Sequence, residues 1–326
     1  MRRARRLVTP LLLALSAVTT VVSAQTPSPV EPEVRGAPLG VMKVQGNVWL
    51  IAGAGGNIAV QAGDEGIVVV DTGAGGLTDA VMDAIRTISD RPIRYVINTS
   101  VSAQHVGGNA RFAALPGGSL SGKTRGAKVR IIAQENVVVR MGEVGQGGAP
   151  AYPSEAWPVD GYYVPERNLV FNGEVIDVIH QPSAHSDGDS IVYFRGSNVL
   201  VAGDIYTTTS LPLVDRARGG SLTGLLRALN NMIDIAVADD LAEGGTYIIP
   251  GHGRISDEAD LAEYRDMVHI IRARIDDLAG RERLSLAQVK SRRPLLGWEA
   301  RYGHAGWTTD MFIDAVYDEF RARRAP

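Results

Sequence analysis

Residues 94–109 read RYVINTSVSAQHVGGN, and the fold turns on them. An apolar, β-prone run, Tyr95-Val96-Ile97, ends in Asn98-Thr99. A short polar loop follows with Ser100, Ser102, Gln104 and His105, and then Val106-Gly107-Gly108-Asn109 opens a helix. A strand that hands polar side chains to a loop at its C-terminal end, just ahead of a helix, is where open α/β layers place their chemistry.

Three more stretches repeat this setting. His185 follows a strand ending near Gln181, in Ser183-Ala184-His185-Ser186-Asp187-Gly188-Asp189-Ser190. Asp204 follows Val199-Leu200-Val201-Ala202-Gly203, and His252 follows a strand over 246–249 in Pro250-Gly251-His252-Gly253. A lone histidine at a strand end is more often a hydrogen-bonded turn residue than a ligand. Four metal-competent side chains in one setting, with glycines beside them, point instead to convergence on one rim. Of the other histidines, His180 ends a strand and fits either reading. His269 inside a long helix and His304 in a glycine-rich turn read as structural or solvated.

These stretches resemble, in order, the motifs of the metallo-β-lactamase superfamily. At 98–109 the family pattern is N-T-H-x-H-x-D-H-x-G-G-N. The chain matches it at Asn98, Thr99, His105, Gly107, Gly108 and Asn109. Val69-Val70-Asp71-Thr72-Gly73 resembles the first motif, and the 184–190, 202–204 and 250–253 stretches resemble the remaining three. The resemblance runs from about Val41 to Gly253 and implies an α/β fold, an αββα four-layer sandwich. It also implies metal ligation by His105, His185, Asp204 and His252. Asp204 matches the carboxylate that bridges two metals in the glyoxalase-II-like branch, and Asp71 would stand behind the ligands.

The departures matter as much. Ser100 and Ser102 stand where the pattern has its first two histidines, and Gln104 where it has aspartate. Neutral hydroxyls are poor zinc ligands. The first metal site therefore keeps only His185 and Asp204 and is expected to be lost. The second keeps His105, Asp204 and His252, enough for one zinc or similar divalent ion with a position left for water. Asp204 and Gln104 are the expected catalytic residues; Gln104 can orient a water but cannot accept its proton. Asp71, Ser100, Ser102 and Asn109 are expected around the ligands, supporting them or touching substrate. Two functions follow. One is a hydrolase in which metal-activated water attacks an ester, thioester or amide/lactam bond. The other is an inactive, metal-free member of the fold that binds a small molecule.

The rest of the 326 residues bounds these readings. Four arginines within the first six residues, an apolar run over 11–22 and Val22-Ser23-Ala24 form a secretory leader over 1–24, too short for a membrane span. The chain is therefore expected to be exported, to a periplasm or beyond. Removing the leader takes away four arginines and no acid, so the mature chain is more acidic than the formal net charge of −3. That disfavours nucleic acid or anionic lipid as partners and leaves a small-molecule substrate or ligand. Cysteine is absent, which excludes thiolate ligands and a cysteine nucleophile. Residues 25–39 read as a flexible lead-in and 40–326 as the folded domain, with C-terminal helices from about 281.

Short β runs are expected at 41–44, 48–51, 58–61, 66–71, 93–98 and 129–133. Further runs are expected at 161–164, 169–171, 175–181, 190–194, 199–202 and 246–249. Helices are expected at 77–89, 109–115, 134–141, 221–237, 257–278 with Ser256 as a possible cap, and 309–321. Gly117-Gly118-Ser119-Leu120-Ser121-Gly122-Lys123-Thr124 fits a phosphate-loop pattern. It lacks the strand before and the helix after that such a loop needs, so it reads as a surface loop. The glycine- and proline-rich stretch 142–157 is expected near the mouth of a cleft.

Overall fold

The computed structural model describes residues 38–117, 128–144, 149–239, 241, 244–303 and 306–324. The leader and nearly all of the lead-in lie outside the described residues, as do His304 and the 117–124 pattern apart from Gly117.

Two sheets carry the fold. The first holds β1 (Gly40–Gln45), β2 (Val48–Ala54), β3 (Gly56–Gly63), β4 (Gly66–Val70), β5 (Ile93–Ile97), β6 (Arg130–Gln134) and β7 (Asp160–Tyr162), side by side in chain order. The second holds β8 (Glu166–Phe171), β9 (Glu174–His180), β10 (Ser190–Phe194), β11 (Val199–Thr207) and β12 (Tyr247–His252), again adjacent in sequence. Strands β4 to β7 pair parallel, as do β11 and β12. The helices are α1 (Thr78–Ile88), α2 (Ala103–Val106), α3 (Asn109–Ala113), α4 (Glu135–Met141), α5 (Leu222–Ile235), α6 (Glu258–Gly280), α7 (Leu286–Ser291), α8 (Glu299–Tyr302) and α9 (Thr309–Ala322).

Side-chain alternation builds the layers. Successive residues of a strand point to opposite faces. Val68 and Val70 of β4 therefore join Ile97 and Ile132 in a core shared with Ile176, Val178, Val192, Phe194, Val201 and Ile249 of the other sheet. Ile67, Val69 and Val96 point the other way, onto Val81, Met82 and Ile85 of α1. In the second sheet Ile191, Leu200 and Ile248 face outward onto α5, α6 and α9, through Leu225, Leu229, Leu261, Val268, Phe312 and Val316. The order is helix, sheet, sheet, helix, the αββα sandwich expected. Strands covered on both faces read as unbroken apolar runs, and β4 is buried along its whole length.

Some local expectations shift. The cap of α6 is Asp257, whose carboxylate accepts from Asp260 N; Ser256, next to it, instead accepts from the Tyr206 hydroxyl. The loop at 100–106 contains a helical turn, α2. Strand β8 starts at Glu166, three residues ahead of its apolar core, because its outer positions face solvent. No helix among the described residues is long and apolar enough to cross a membrane.

Candidate metal centre

The site residues come from different elements: Asp71 just after β4, His105 on α2, His185 in the loop after β9, Asp204 within β11 and His252 at the end of β12. Asp71 follows β4 at φ 66°, a left-handed conformation that an aspartate tolerates better than most side chains. Its two oxygens accept from Thr99 N at 2.8 Å and Thr99 Oγ1 at 2.7 Å. The second oxygen also meets His105 Nδ1 at 2.7 Å. The other ring nitrogen, Nε2, lies 2.8 Å from Asp204 Oδ1. His105 is thus held between two carboxylates and wholly buried. Burial works against its charge, but Asp204 and Asp71 outweigh burial and hold the imidazole well above its ordinary range.

Asp204 is the hub. It lies within β11 just after Gly203, which is at φ 54° with Thr99 so close that a Cβ would sit 2.6 Å from Thr99 Oγ1. Only glycine takes that conformation without cost. The two carboxylate oxygens face different partners. On the Oδ1 side stand His105 Nε2 and, at 3.3 Å, His252 Nε2. On the Oδ2 side stand His185 Nε2 at 3.6 Å and Ser100 Oγ at 3.5 Å. Burial opposes the negative charge of Asp204, and His105, His252 and His185 outweigh it, so the carboxyl stays ionised far below its usual range.

His105, Asp204 and His252 offer ligand atoms that all lie within 4.8 Å of one another. Their chemistry fits a divalent cation. Asp71 holds Nδ1 of His105, leaving Nε2 for a metal. The Leu213 carbonyl holds Nδ1 of His185 at 3.0 Å in the same way. A carboxylate or carbonyl behind an imidazole is how metal-binding histidines are oriented. In a tetrahedral site two ligand atoms about 2.1 Å from zinc stand about 3.4 Å apart. The His252–Asp204 separation matches that, and the His105–Asp204 contact has to open slightly. His185 touches only the far oxygen of Asp204 and stands outside this group of three.

The surrounding residues divide by role. Ser100 and Ser102 are buried, with Ser102 N donating to Ser100 Oγ at 3.2 Å. Gln104 is buried on α2, and among the described residues no hydrogen bond joins it to the histidines or Asp204. Asn109 is wholly buried and exchanges amide hydrogen bonds with Asn98, at 2.8 and 3.2 Å, so it supports the loop from behind. His180 steadies the His185 loop through the Asp187 carbonyl at 2.9 Å, and His269 is exposed on α6. In the same loop both oxygens of Asp189 accept from Ser186, and burial pushes the Asp189 carboxyl up to about 7. Tyr152 donates to the Val101 carbonyl at 2.9 Å, which puts that residue of the 142–157 stretch against the 100–104 loop; residues 145–148 lie outside the described residues.

The profile of the metallo-beta-lactamase superfamily matches residues 42–252. The chain belongs to this superfamily. No curated protein sequence matches it. Among solved structures it is similar to the stereoselective inverting sec-alkylsulfatase Pisa1 from Pseudomonas sp., at 18% identity and a TM-score of 0.63. That match covers 88% of this chain and 52% of the alkylsulfatase, so the chain spans about half that protein's length. It is also similar to the metallo-beta-lactamase from Pontibacter korlensis, at 17% identity and a TM-score of 0.54, covering 71% of this chain and 99% of that one. The DIM-1 metallo-beta-lactamase gives 18%, 0.52, 72% and 98% in the same order. At these identities the likeness shows the fold alone. Within the superfamily fold, residues 54–57 were not singled out from sequence. Asn57 is a buried amide at the start of β3, directly ahead of the apolar run Ile58-Ala59-Val60. That mismatch with β preference was its only signal.

Proposed function

We propose that the protein is a hydrolase of the metallo-β-lactamase superfamily that works with one divalent ion, zinc or similar, held by His105, Asp204 and His252. One observation carries this reading. The Oδ1 side of Asp204 has two imidazole nitrogens, whereas the Oδ2 side has one imidazole and a serine hydroxyl. A bound zinc-like ion would lower the pKa of a coordinated water toward neutrality and polarise a substrate oxygen. Asp71 keeps His105 in the ligating tautomer. Asp204, its carboxyl held far below the usual range by His105, His252 and His185, supplies the negative charge of the site. Gln104, next to His105 on α2, orients water without removing its proton. Ser100 offers its hydroxyl to the substrate on the Oδ2 side, where His185 also stands, and Ser102 supports it through its backbone N–H. The substrates that suit this arrangement are small esters, thioesters and amides or lactams. Turnover is expected to be slow, because neither a second ion nor a carboxylate base assists.

The sequence of the first 24 residues supports export through a cleaved leader, which N-terminal sequencing of secreted protein would check. A second reading, a metal-free binding protein, is favoured by the direct 2.8 Å contact between His105 and Asp204. A proton there satisfies both groups as a cation would. Hydrolysis assays on ester, thioester and lactam panels separate the two. The hydrolase reading expects activity that chelation removes, zinc restores and His252→Ala abolishes. Activity that survives chelation, or none on any panel with zinc bound, would count against it.

A further inference from the structure

Strand β3 begins with Gly56-Asn57, a pair outside every histidine and aspartate motif of the chain. Both residues reach ligands carried by other elements. The Asn57 side chain is buried, and its Nδ2 donates twice, to the Pro250 carbonyl at 2.9 Å and to the Gly253 carbonyl at 3.0 Å. Those two carbonyls flank Gly251-His252. One amide, with its two N–H groups fixed in a plane, therefore sets the width of the turn that presents the His252 ring. The His252 carbonyl is held from the other side by Thr208 N at 3.1 Å. Gly56 serves His105. A Cβ at position 56 would lie 2.9 Å from His105 Cε1 and 3.2 Å from the Gln104 carbonyl. The ring has no room to retreat, because both its nitrogens are bonded.

We propose that Gly56 and Asn57 are positioning residues that fix the spacing between His105 and His252, and hence between two ligands of the proposed ion. Asn57 sits on the first sheet and His252 at the end of β12 in the second, so the clamp spans the two halves of the sandwich. The consequence for metal binding rests on the hydrolase reading; the clamp itself does not.

The test compares wild type with Asn57→Ala and Asn57→Asp, which removes both donors at constant size, and with Gly56→Ala. Hydrogen exchange on chelator-treated protein reads the clamp without metal. Exchange across 250–254 is expected to rise at least tenfold in both Asn57 variants, with β4 and β11 unchanged. Gly56→Ala is expected to lose the downfield His105 Nδ1–H resonance that the Asp71 bond produces. In zinc titrations each variant should bind ~10–100-fold more weakly, the usual penalty for removing support behind a ligand. Unchanged exchange at 250–254, or a rise shared equally by β4 and β11, would overturn the proposal, as would wild-type zinc affinity in all three variants. Wild-type protein that takes up no zinc would bring down the hydrolase reading, and exchange would still decide the clamp.

Discussion

At Asp204 the two oxygens of one carboxylate meet different partners, His105 and His252 on one side and His185 and Ser100 on the other. If Ser100, Ser102 and Gln104 are what limit the site to one ion, then Ser100→His, Ser102→His and Gln104→Asp together should raise bound zinc from about one to about two per chain. Metal analysis by mass spectrometry checks this. Asp71→Asn replaces an acceptor-only group with an amide that must point its NH2 at a donor, either Thr99 or His105. His105 then loses its fixed tautomer, and zinc affinity should fall ~10–100-fold. The pH dependence has a definite sign. Zinc needs the unprotonated Nε2 of His105, and the carboxylates hold that imidazole well above its ordinary range. Apparent zinc affinity, followed by competition with a chromophoric chelator, should therefore keep rising with pH beyond the range where an ordinary imidazole has already lost its proton. The candidate ligands were legible in sequence, because His105, His185, Asp204 and His252 each follow an apolar run with a glycine or small residue close by. Asn57 was not, since nothing in a linear reading ties it to a turn nearly 200 residues away.

Among the elements, strands were read most faithfully, because burial on both faces writes them as plain runs of valine and isoleucine. Helix α5 was also legible from its leucine spacing, but what holds its start was not. Ser221 caps it, and Glu319 of α9 reaches across to accept from Leu222 N at 2.7 Å and Thr223 N at 3.1 Å. Removing those acceptors by Glu319→Ala should cost about 1 kcal/mol, the usual worth of a helix cap, seen as a lower thermal midpoint with no change in zinc content. Helices α7 and α8 span only 6 and 4 residues, too short for a periodic pattern to show. The capping box at Ser285 and Gln288 was the one local signal for α7.

Over the whole molecule, the same sheet-to-sheet contact that buries the core also assembles the site, since Asp71 and His105 come from one half and His185, Asp204 and His252 from the other. At Glu174 a polar link joins the halves. Its buried carboxylate accepts from Gln61 Nε2 of β3 at 2.7 Å and from Ser197 N at 2.8 Å. Glu174→Ala would strand those donors, and urea unfolding should show a loss of ~2–4 kcal/mol, the cost of buried groups left unpaired. The layer order was legible because two β series, each followed by helices, must bury two faces apiece. The charge network was not, because its partners are far apart in the chain. The central claim is that one side of Asp204 holds an ion and the other does not. Its most direct test is the zinc content of purified wild-type protein after equilibration with zinc and removal of excess. The account predicts about one ion per chain, lost in His105→Ala and in His252→Ala. No bound zinc, or two ions per chain in the wild type, would contradict it.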